Sequence, residues 1–120
     1  MALLANGDLD AVMDLYEDEA VFAELDAVAS GTADIRAAHQ KFIDAGLTLT
    51  LNDSVVLEAD SIALVHWSWT VTREDGTAFD GVSAEVMRRQ SDGAWKFLID
   101  NSDGPALVGR LQYRSRRHQR

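Results

Sequence analysis

Two Asp-Gly pairs, Asp75-Gly76 and Asp92-Gly93, constrain the fold of this 120-residue chain more than any other feature. Each pair separates two β-rich runs, and Asp-Gly is typical of the two-residue type I′ turn, whose central residues both have positive φ. We therefore predict three consecutive antiparallel strands that are joined by two tight hairpins. Because a two-residue turn fixes which residues face each other, the same two pairs also predict the register of the strands.

The predicted register brings three ionisable residues together. The first turn pairs Thr72 with Phe79, Thr70 with Gly81, Ser68 with Ser83 and His66 with Glu85, and the second pairs Met87 with Leu98 and Glu85 with Asp100. Since side chains alternate between the two faces of a strand, His66, Glu85 and Asp100 are predicted to form one row on one face of the sheet. A row of one imidazole and two carboxylates is either a functional site or part of a solvated stripe.

The remaining segments predict helices before the strands. Apolar residues recur at helical spacing at Leu9, Val12, Met13 and Tyr16 with Asp8 as N-cap, and again at Ile35, Ala38, His39 and Phe42 between Gly31 and Gly46. A short strand is predicted over 20–25. Later strands are predicted over 47–59 with a bend at 52–53, and over 62–73, 78–90 and 94–102. This order predicts an α+β fold, with helices covering one face of a curved antiparallel sheet.

Length and charge limit the classes of protein. We expect one domain over residues 1–104 and a basic tail over 105–120, flexible or docked on a neighbouring surface, because five of the eleven basic residues lie in the last eleven positions. The acidic remainder makes nucleic acid an unfavourable partner. No apolar run approaches the ~18 residues of a membrane span, and no glycine-rich phosphate loop is present. We therefore expect a cytoplasmic protein without a cofactor.

The two predicted faces of the sheet differ in polarity. One carries Val65, Trp67, Trp69, Val71, Val82, Ala84, Val86, Phe97 and Ile99, and the other carries Leu64, His66, Ser68, Thr70, Thr72, Ser83, Glu85, Met87, Leu98 and Asp100. Patterning alone makes the first face the core and leaves the second in water. However, the second face lacks Lys and Arg and combines small hydroxyl residues with Leu and Met. That composition favours the lining of a cavity, with Ser68, Ser83, Met87 and Leu98 in its wall.

Several motifs resemble the nuclear-transport-factor-2-like superfamily. They are the runs over 7–16 and 18–22, then Gly31 with Ile35, and the runs over 85–89 and 92–96, which resemble its closing hairpin. Within that superfamily the chain is most similar to ketosteroid-isomerase-like and SnoaL-like proteins, over about residues 3–102. The resemblance implies a cone-shaped, cystatin-like α+β roll, in which a curved, mixed sheet wraps around the N-terminal helices and encloses a pocket. It also implies that Glu85 faces this pocket and that the face with Trp67 and Trp69 packs against a second subunit.

The resemblance further implies roles for individual residues. Glu24 falls where ketosteroid isomerase has its general base, Glu85 where it has a protonated acid that donates to the oxyanion, and His39 where a supporting tyrosine lies. The oxyanion-hole tyrosine would align just before Met1, which implies a shortened first helix or a start upstream. Tyr16 and Phe22 are expected in the pocket wall. Each has a plainer alternative: His39 as a core histidine, Glu24 as a solvated acid, and Tyr16 as a packing residue with its hydroxyl at the rim.

Two functional hypotheses follow. In the first, Glu85, Asp100, His66 and Glu24 perform acid–base catalysis on a small apolar carbonyl or epoxide compound, as an isomerase, dehydratase or hydrolase. In the second, the chain is a non-catalytic homodimeric module that binds a small molecule or a partner, with a shallow or filled pocket and ordinary carboxylates. A metal bound by His66, Glu85 and Asp100 is a weaker alternative, because no supporting residues are evident.

Overall fold

The structure, a computed structural model, describes residues 8–24 and 27–108. Its elements are α1 (Leu9–Met13), β1 (Tyr16–Glu24), β2 (Ala27–Ser30), α2 (Thr32–Asp44), β3 (Thr48–Ala59), β4 (Ile62–Thr72), β5 (Ala78–Val82), β6 (Ala84–Arg89), β7 (Trp95–Asn101) and a 3₁₀ turn (Gly104–Leu107). None of the helices in this part of the chain is long and apolar enough to cross a membrane. Leu25, at the end of the first predicted strand, and residues 109–120 of the predicted basic tail lie outside the described residues.

The seven strands that the structure describes belong to one mixed sheet. The strand order is β2-β1-β7-β6-β4-β3, with β5 beside the far half of β4. Strands β1 and β7 run parallel, and the other neighbours run antiparallel. Helix α2 packs against α1, β1 and β2. The main core cluster lies between these elements and consists of Leu9, Val12, Met13, Tyr16, Ala20, Phe22 and Ile35. The predicted α+β cone is confirmed.

Local signals place the helices well. The Asp8 side chain accepts a hydrogen bond from the Ala11 backbone at 3.2 Å and so caps α1, as predicted. The helix ends at Met13, however, and Tyr16 begins β1 instead of completing the helical stripe. Helix α2 ends before Gly46, whose φ of 72° continues the chain in the left-handed region. The predicted bend in β3 is present as a shift of register between Leu51 and Ser54. Strand β2 was not predicted.

The two Asp-Gly turns differ from the prediction by one residue. The Arg73 N–H donates to the carbonyl of Thr77 at 2.8 Å, so the first loop has three residues and only Gly76, at φ 89°, is left-handed. The second turn repeats this arrangement, since Gln90 pairs with Ala94 at 2.7 Å across a three-residue loop. In both loops the aspartate side chain accepts a hydrogen bond from the backbone N–H two residues later, and the aspartate backbone does not adopt positive φ.

The extra loop residue moves His66 to the opposite face from Glu85. On β4 and β6 the residue opposite Glu85 is Val65, so the predicted pairing of His66 with Glu85 is wrong. A bulge in β7 shifts the register between β6 and β7 by one residue, because Leu98 is an extra residue: Met87 pairs with Phe97, and the next pair is Val86 with Ile99. This shift compensates for the extra residue in the second turn. The predicted pairing of Glu85 with Asp100 is therefore confirmed, whereas that of Met87 with Leu98 is wrong.

Candidate functional site

A cavity of about 460 Å³ lies between the two helices and the concave face of the sheet, and it is partly open to solvent. Most of its wall is apolar and comes from Val12, Leu15, Phe22, Ala27, Phe42, Leu47, Leu49, Leu51, Trp67, Trp69, Val71, Phe79 and Phe97. Its polar residues are Tyr16, Glu24, His39, Lys41, Ser83, Glu85, Asp100, Ser102 and Asp103. An apolar cavity with a few convergent polar groups is the usual form of a small-molecule site.

Glu85 and Asp100 form the carboxyl pair of this cavity. They lie directly opposite each other on β6 and β7, and both line the cavity wall. The side chain of Glu85 is buried, and its Oε1 atom makes no hydrogen bond with any described residue. A buried polar atom without a partner costs free energy, so it is a favourable contact point for a ligand.

A chain of hydrogen bonds leads from Asp100 to helix α2. The Tyr16 hydroxyl donates to Asp100 Oδ2 at 2.5 Å, and the oxygen of this tyrosine hydroxyl also lies 3.0 Å from Nε2 of His39. The His39 ring also stacks on Phe22, with the ring centres 4.8 Å apart. Burial lowers the pKa of His39 to about 4, so its imidazole is neutral near pH 7. The tyrosine hydroxyl is therefore inside the fold, and the prediction that it lies at the rim is wrong.

Burial keeps both carboxyls of the pair from ionising normally. It raises the pKa of Asp100 to about 6, although the hydrogen bond from Tyr16 opposes the shift. The pKa of Glu85 is raised to about 8, mainly by burial and to a smaller extent by the negative charge of Asp100, and the Ser83 side chain opposes this shift. Near pH 7 the pair therefore holds one proton and one negative charge. Burial and the charge and hydrogen bond of Asp100 also raise the pKa of Tyr16 well above its usual value.

Glu24, Lys41 and Asp103 line the cavity as a group of interacting charges. Lys41 is exposed, whereas Glu24 is half-buried at the end of β1. Burial raises the pKa of Glu24, the charges of Asp103 and Asp100 raise it further, and Lys41 lowers it. Glu24 is therefore a carboxyl group on the cavity whose pKa lies closer to neutrality than that of a solvated glutamate.

The structure places the predicted site residues as follows. Seven of them line the cavity: Glu85, Asp100, Glu24, His39, Tyr16, Phe22 and Ser83. The other four do not line it: His66, Ser68, Met87 and Leu98. His66 and Ser68 lie on the outer face because of the one-residue shift, and Leu98 lies in the bulge. The predicted row therefore reduces to Glu85 and Asp100, and the metal set that required His66 is contradicted. Within the described residues, no cluster of histidine and carboxylate side chains could hold a metal ion.

The two tryptophans of β4 are the main residues that the sequence reasoning misplaced. Trp67 and Trp69 line the cavity on the same face as Glu85, so they do not form an outer face as predicted. Trp69 is held by a hydrogen bond from its Nε1 to the Ser102 carbonyl at 2.7 Å. If the first turn had been predicted as a three-residue loop, the predicted register would have placed both indole rings on the same face as Glu85. Lys41 and Asp103 were also missed, and no signal in the sequence marks them.

The fold and this apolar, carboxyl-bearing cavity define a protein of the NTF2-like, cystatin-like class. The chain belongs to the SnoaL-like domain family, whose sequence profile matches residues 1–97. No curated protein sequence matches it.

Solved structures share the fold at low sequence identity. An NTF2-like protein from Pseudomonas putida superposes with a TM-score of 0.72 at 19% identity, over 85% of this chain and 76% of that protein. A cystatin-like protein from Nostoc punctiforme gives 0.70 at 14% identity, over 85% and 83%. A proposed ketosteroid isomerase from Shewanella frigidimarina gives 0.65 at 19% identity, over 81% and 82%. At these identities the similarity shows the fold alone.

Proposed function

We propose that this protein binds a compact apolar compound with a carbonyl or epoxide oxygen and performs acid–base chemistry on it, as an isomerase, dehydratase or hydrolase. The observation that carries the proposal is the Glu85 carboxyl group, which is buried in the wall of an apolar cavity with Oε1 unpaired among the described residues. Its raised pKa supports a protonated group near pH 7. A neutral carboxylic acid can donate a hydrogen bond to a ligand oxygen.

The donor from Glu85 would act where negative charge develops. When a base removes a proton next to a carbonyl, charge builds on the carbonyl oxygen, and a donor placed in a low-dielectric site stabilises that charge. An epoxide oxygen gains charge in the same way when its ring opens. The adjacent Asp100 disfavours a ligand group that is already an anion when it binds, because two negative charges at this point would repel each other. These considerations favour a neutral ligand oxygen as the atom that contacts Glu85.

Glu24 is the proposed base. It lines the same cavity, and its raised pKa brings it closer to the range in which a carboxylate both remains ionised and accepts a proton effectively. Lys41 lines the same cavity and lowers that pKa, which favours the ionised form of Glu24. His66, which was predicted to be the proton shuttle, is on the other face and is not part of this proposal.

The test uses 2-tetralone, an enolisable bicyclic ketone, and tetralin, the corresponding hydrocarbon. Binding is followed by quenching of tryptophan fluorescence, because Trp67 and Trp69 line the cavity. Proton abstraction is followed by NMR as deuterium exchange at the carbons next to the carbonyl. We expect the ketone to bind more tightly than tetralin, and Glu85→Leu to abolish this difference. We expect Glu24→Gln to lower the protein-dependent exchange rate at least about tenfold.

The control is Glu58→Gln, which changes an exposed carboxyl on β3 and is expected to behave as the wild type. Equal binding of ketone and hydrocarbon would contradict the role of Glu85. Selective ketone binding without exchange would contradict catalysis and support the alternative of a non-catalytic binding module. The cavity and the shifted carboxyls favour catalysis, because the alternative is associated with a filled pocket and ordinary carboxylates.

We also propose that two copies associate, through the outer face of the sheet and not through the tryptophan face. This outer apolar surface consists of Val55, Leu57, Leu64, Val82 and Ile99, which are 56%, 59%, 38%, 49% and 44% exposed. Exposed apolar groups of this kind mark interaction surfaces, and an uncharged contact avoids repulsion between two strongly acidic chains. Sedimentation equilibrium of the wild type should give a dimer, Leu64→Glu a monomer and the helix control Gln40→Glu a dimer. A monomeric wild type at micromolar concentration would contradict the proposal.

A further inference from the structure

We propose that Tyr16 is a positioning residue that assigns the one proton of the carboxyl pair to Glu85 and the negative charge to Asp100. The inference rests on the proposed function, because it explains why the carboxyl that would contact the ligand is the protonated one. It concerns a residue that does not itself supply the acid. Tyr16 acts through Asp100, its direct hydrogen-bond partner.

The direction of the hydrogen bonds follows from the proton count. The Tyr16 hydroxyl has one proton, and it lies within hydrogen-bond distance of both Asp100 Oδ2 and His39 Nε2. When this proton goes to an ionised Asp100, the bond to His39 requires that Nε2 carries a proton and donates to the tyrosine oxygen. A neutral His39 meets this requirement as the Nε2–H tautomer. The resulting chain runs from His39 through Tyr16 to Asp100, and every hydrogen is used once.

The two carboxyls differ in what they can use to stabilise a charge. Asp100 accepts a charge-assisted hydrogen bond from a phenol, which is among the stronger hydrogen bonds in proteins. Glu85 has a buried oxygen with no donor among the described residues, so a charge there would be poorly solvated. When the pair shares one negative charge, the charge therefore belongs on Asp100. Without the Tyr16 hydroxyl, this difference between the two carboxyls largely disappears.

The other polar groups around the pair do not provide the same asymmetry. Among the described residues, Ser83 has the one other hydroxyl group that acts on the pair, and it lowers the pKa of Glu85 and so favours a charge on Glu85, not on Asp100. Glu24 on β1, Lys41 on α2 and Asp103 after β7 line the same cavity, and none of them is a cause of the pKa shift of Glu85. The charges of Glu24 and Asp100 repel each other, so Glu24 disfavours a charge on Asp100 and is not the source of the asymmetry. The neutral His39 orients Tyr16 and adds no charge.

The test is a residue-specific carboxyl ¹³C NMR titration of the ligand-free protein. In the wild type we expect Asp100 to titrate first, with a midpoint of about 6, and Glu85 later, with a midpoint of about 8. In Tyr16→Phe we expect the midpoint of Asp100 to rise by about one pH unit or more and that of Glu85 to fall, so that the two curves converge or exchange order. Unchanged midpoints in Tyr16→Phe would overturn the proposal.

Two controls separate the hydroxyl from its surroundings. Phe97→Leu removes a ring whose centre lies 5.2 Å from that of Tyr16 but keeps the hydroxyl, so both midpoints should stay in place. Ser83→Ala removes the hydroxyl that acts on Glu85, and it should leave Asp100 as the first carboxyl to titrate. A change of order in Phe97→Leu would show that packing determines which carboxyl is ionised, and a change of order in Ser83→Ala would give that role to the serine hydroxyl; either result would contradict the role of Tyr16.

A second measurement covers the case in which Tyr16→Phe does not fold. Replacing tyrosine with 3-fluorotyrosine keeps the ring and makes the phenol a stronger donor, so the midpoint of Asp100 should fall. A midpoint that stays unchanged or rises would contradict the proposal. None of these titrations needs a ligand. If the midpoints shift in the Tyr16 variants but the wild type shows no ketone exchange, only the proposed function is contradicted. If the wild type shows exchange but the midpoints do not shift in the Tyr16 variants, only the role of Tyr16 is contradicted.

Discussion

Glu85 and Asp100 lie opposite each other because Leu98 is an extra residue in β7. Between the second turn and the bulge, β6 and β7 pair in the register that places Met87 opposite Phe97. Beyond the bulge the register changes by one residue, so that Phe97 and Asp100 both line the cavity although they are three positions apart. An unbroken strand would turn one of these two side chains outward. The bulge thus combines an aromatic wall and a carboxyl group on one strand.

Replacing Glu85 with glutamine should change how stability depends on pH. The pKa of Glu85 is about 8 in the fold and 4.5 as the ordinary value, so its protonated form is favoured on folding. Below pH 4.5 Glu85 therefore makes its full contribution to the free energy of unfolding, and this contribution is lost as the pH rises through 8. In urea unfolding, the free energy of unfolding of Glu85→Gln should rise relative to that of the wild type by on the order of 4 kcal/mol between these two pH values. Parallel stability curves for the two proteins would contradict the shifted pKa.

Binding of a neutral ketone should weaken above pH 8. Only the protonated Glu85 can donate to a ketone oxygen, and this form is lost as the pH passes the pKa of about 8. If the ionised form does not bind, the dissociation constant for 2-tetralone should rise about tenfold per pH unit beyond that point. Tetralin is the matched ligand, and its affinity should vary little over the same range. A ketone affinity that is constant from pH 6 to 9.5 would exclude Glu85 as the donor.

Gly81→Ala should disturb the tryptophan wall of the cavity. A Cβ atom at this position would lie 2.2 Å from Cζ2 of Trp69, so the indole ring must move. That movement weakens the 2.7 Å hydrogen bond from the ring to the Ser102 carbonyl and pushes apolar volume into the cavity. We expect a loss of about 1–3 kcal/mol in the free energy of unfolding, together with weaker binding of 2-tetralone. Ala78→Ser, at an exposed site on the same strand, should change neither quantity.

The two described histidines should show opposite tautomers in their neutral forms. Nδ1 of His66 lies 3.1 Å from the Ser83 carbonyl, which can only accept, so that nitrogen carries the proton. Nε2 of His39 is expected to carry the proton because it donates to Tyr16. Long-range ¹H–¹⁵N NMR spectra distinguish these forms, and His39 should remain neutral down to about pH 5 because burial lowers its pKa to about 4. A protonated His39 at pH 6 would contradict the hydrogen-bond chain.

Much of the fold could be predicted from local patterns. Asp8 marks the start of α1 and Gly46 follows the end of α2, and the bend between Leu51 and Ser54 follows from an interruption at two polar residues. These features depend on contacts between residues close in the chain. Strand β2 was missed because four residues carry too little periodicity to separate a strand from a loop.

The site was only partly predictable, for reasons of register. A two-residue and a three-residue loop both suit Asp-Gly, and the choice depends on whether the aspartate adopts positive φ or accepts from the backbone. The difference of one residue turned His66 outward and brought Trp69 to the cavity. The pairing of Glu85 with Asp100 was predicted correctly because the loop and the Leu98 bulge shift the register of β7 in opposite directions.

By itself, the sequence determined the α+β class, the positions of both turns and the presence of a carboxyl group on each of two adjacent strands, because hydrophobic period and turn chemistry are local. The tertiary structure decided which face became the cavity and which partners the carboxyls have. Tyr16 and Asp100 are 84 residues apart, and their hydrogen bond exists only because β1 lies parallel to β7. Since strand side chains alternate with a period of two, one residue in a loop or a bulge decides whether a group faces ligand or water.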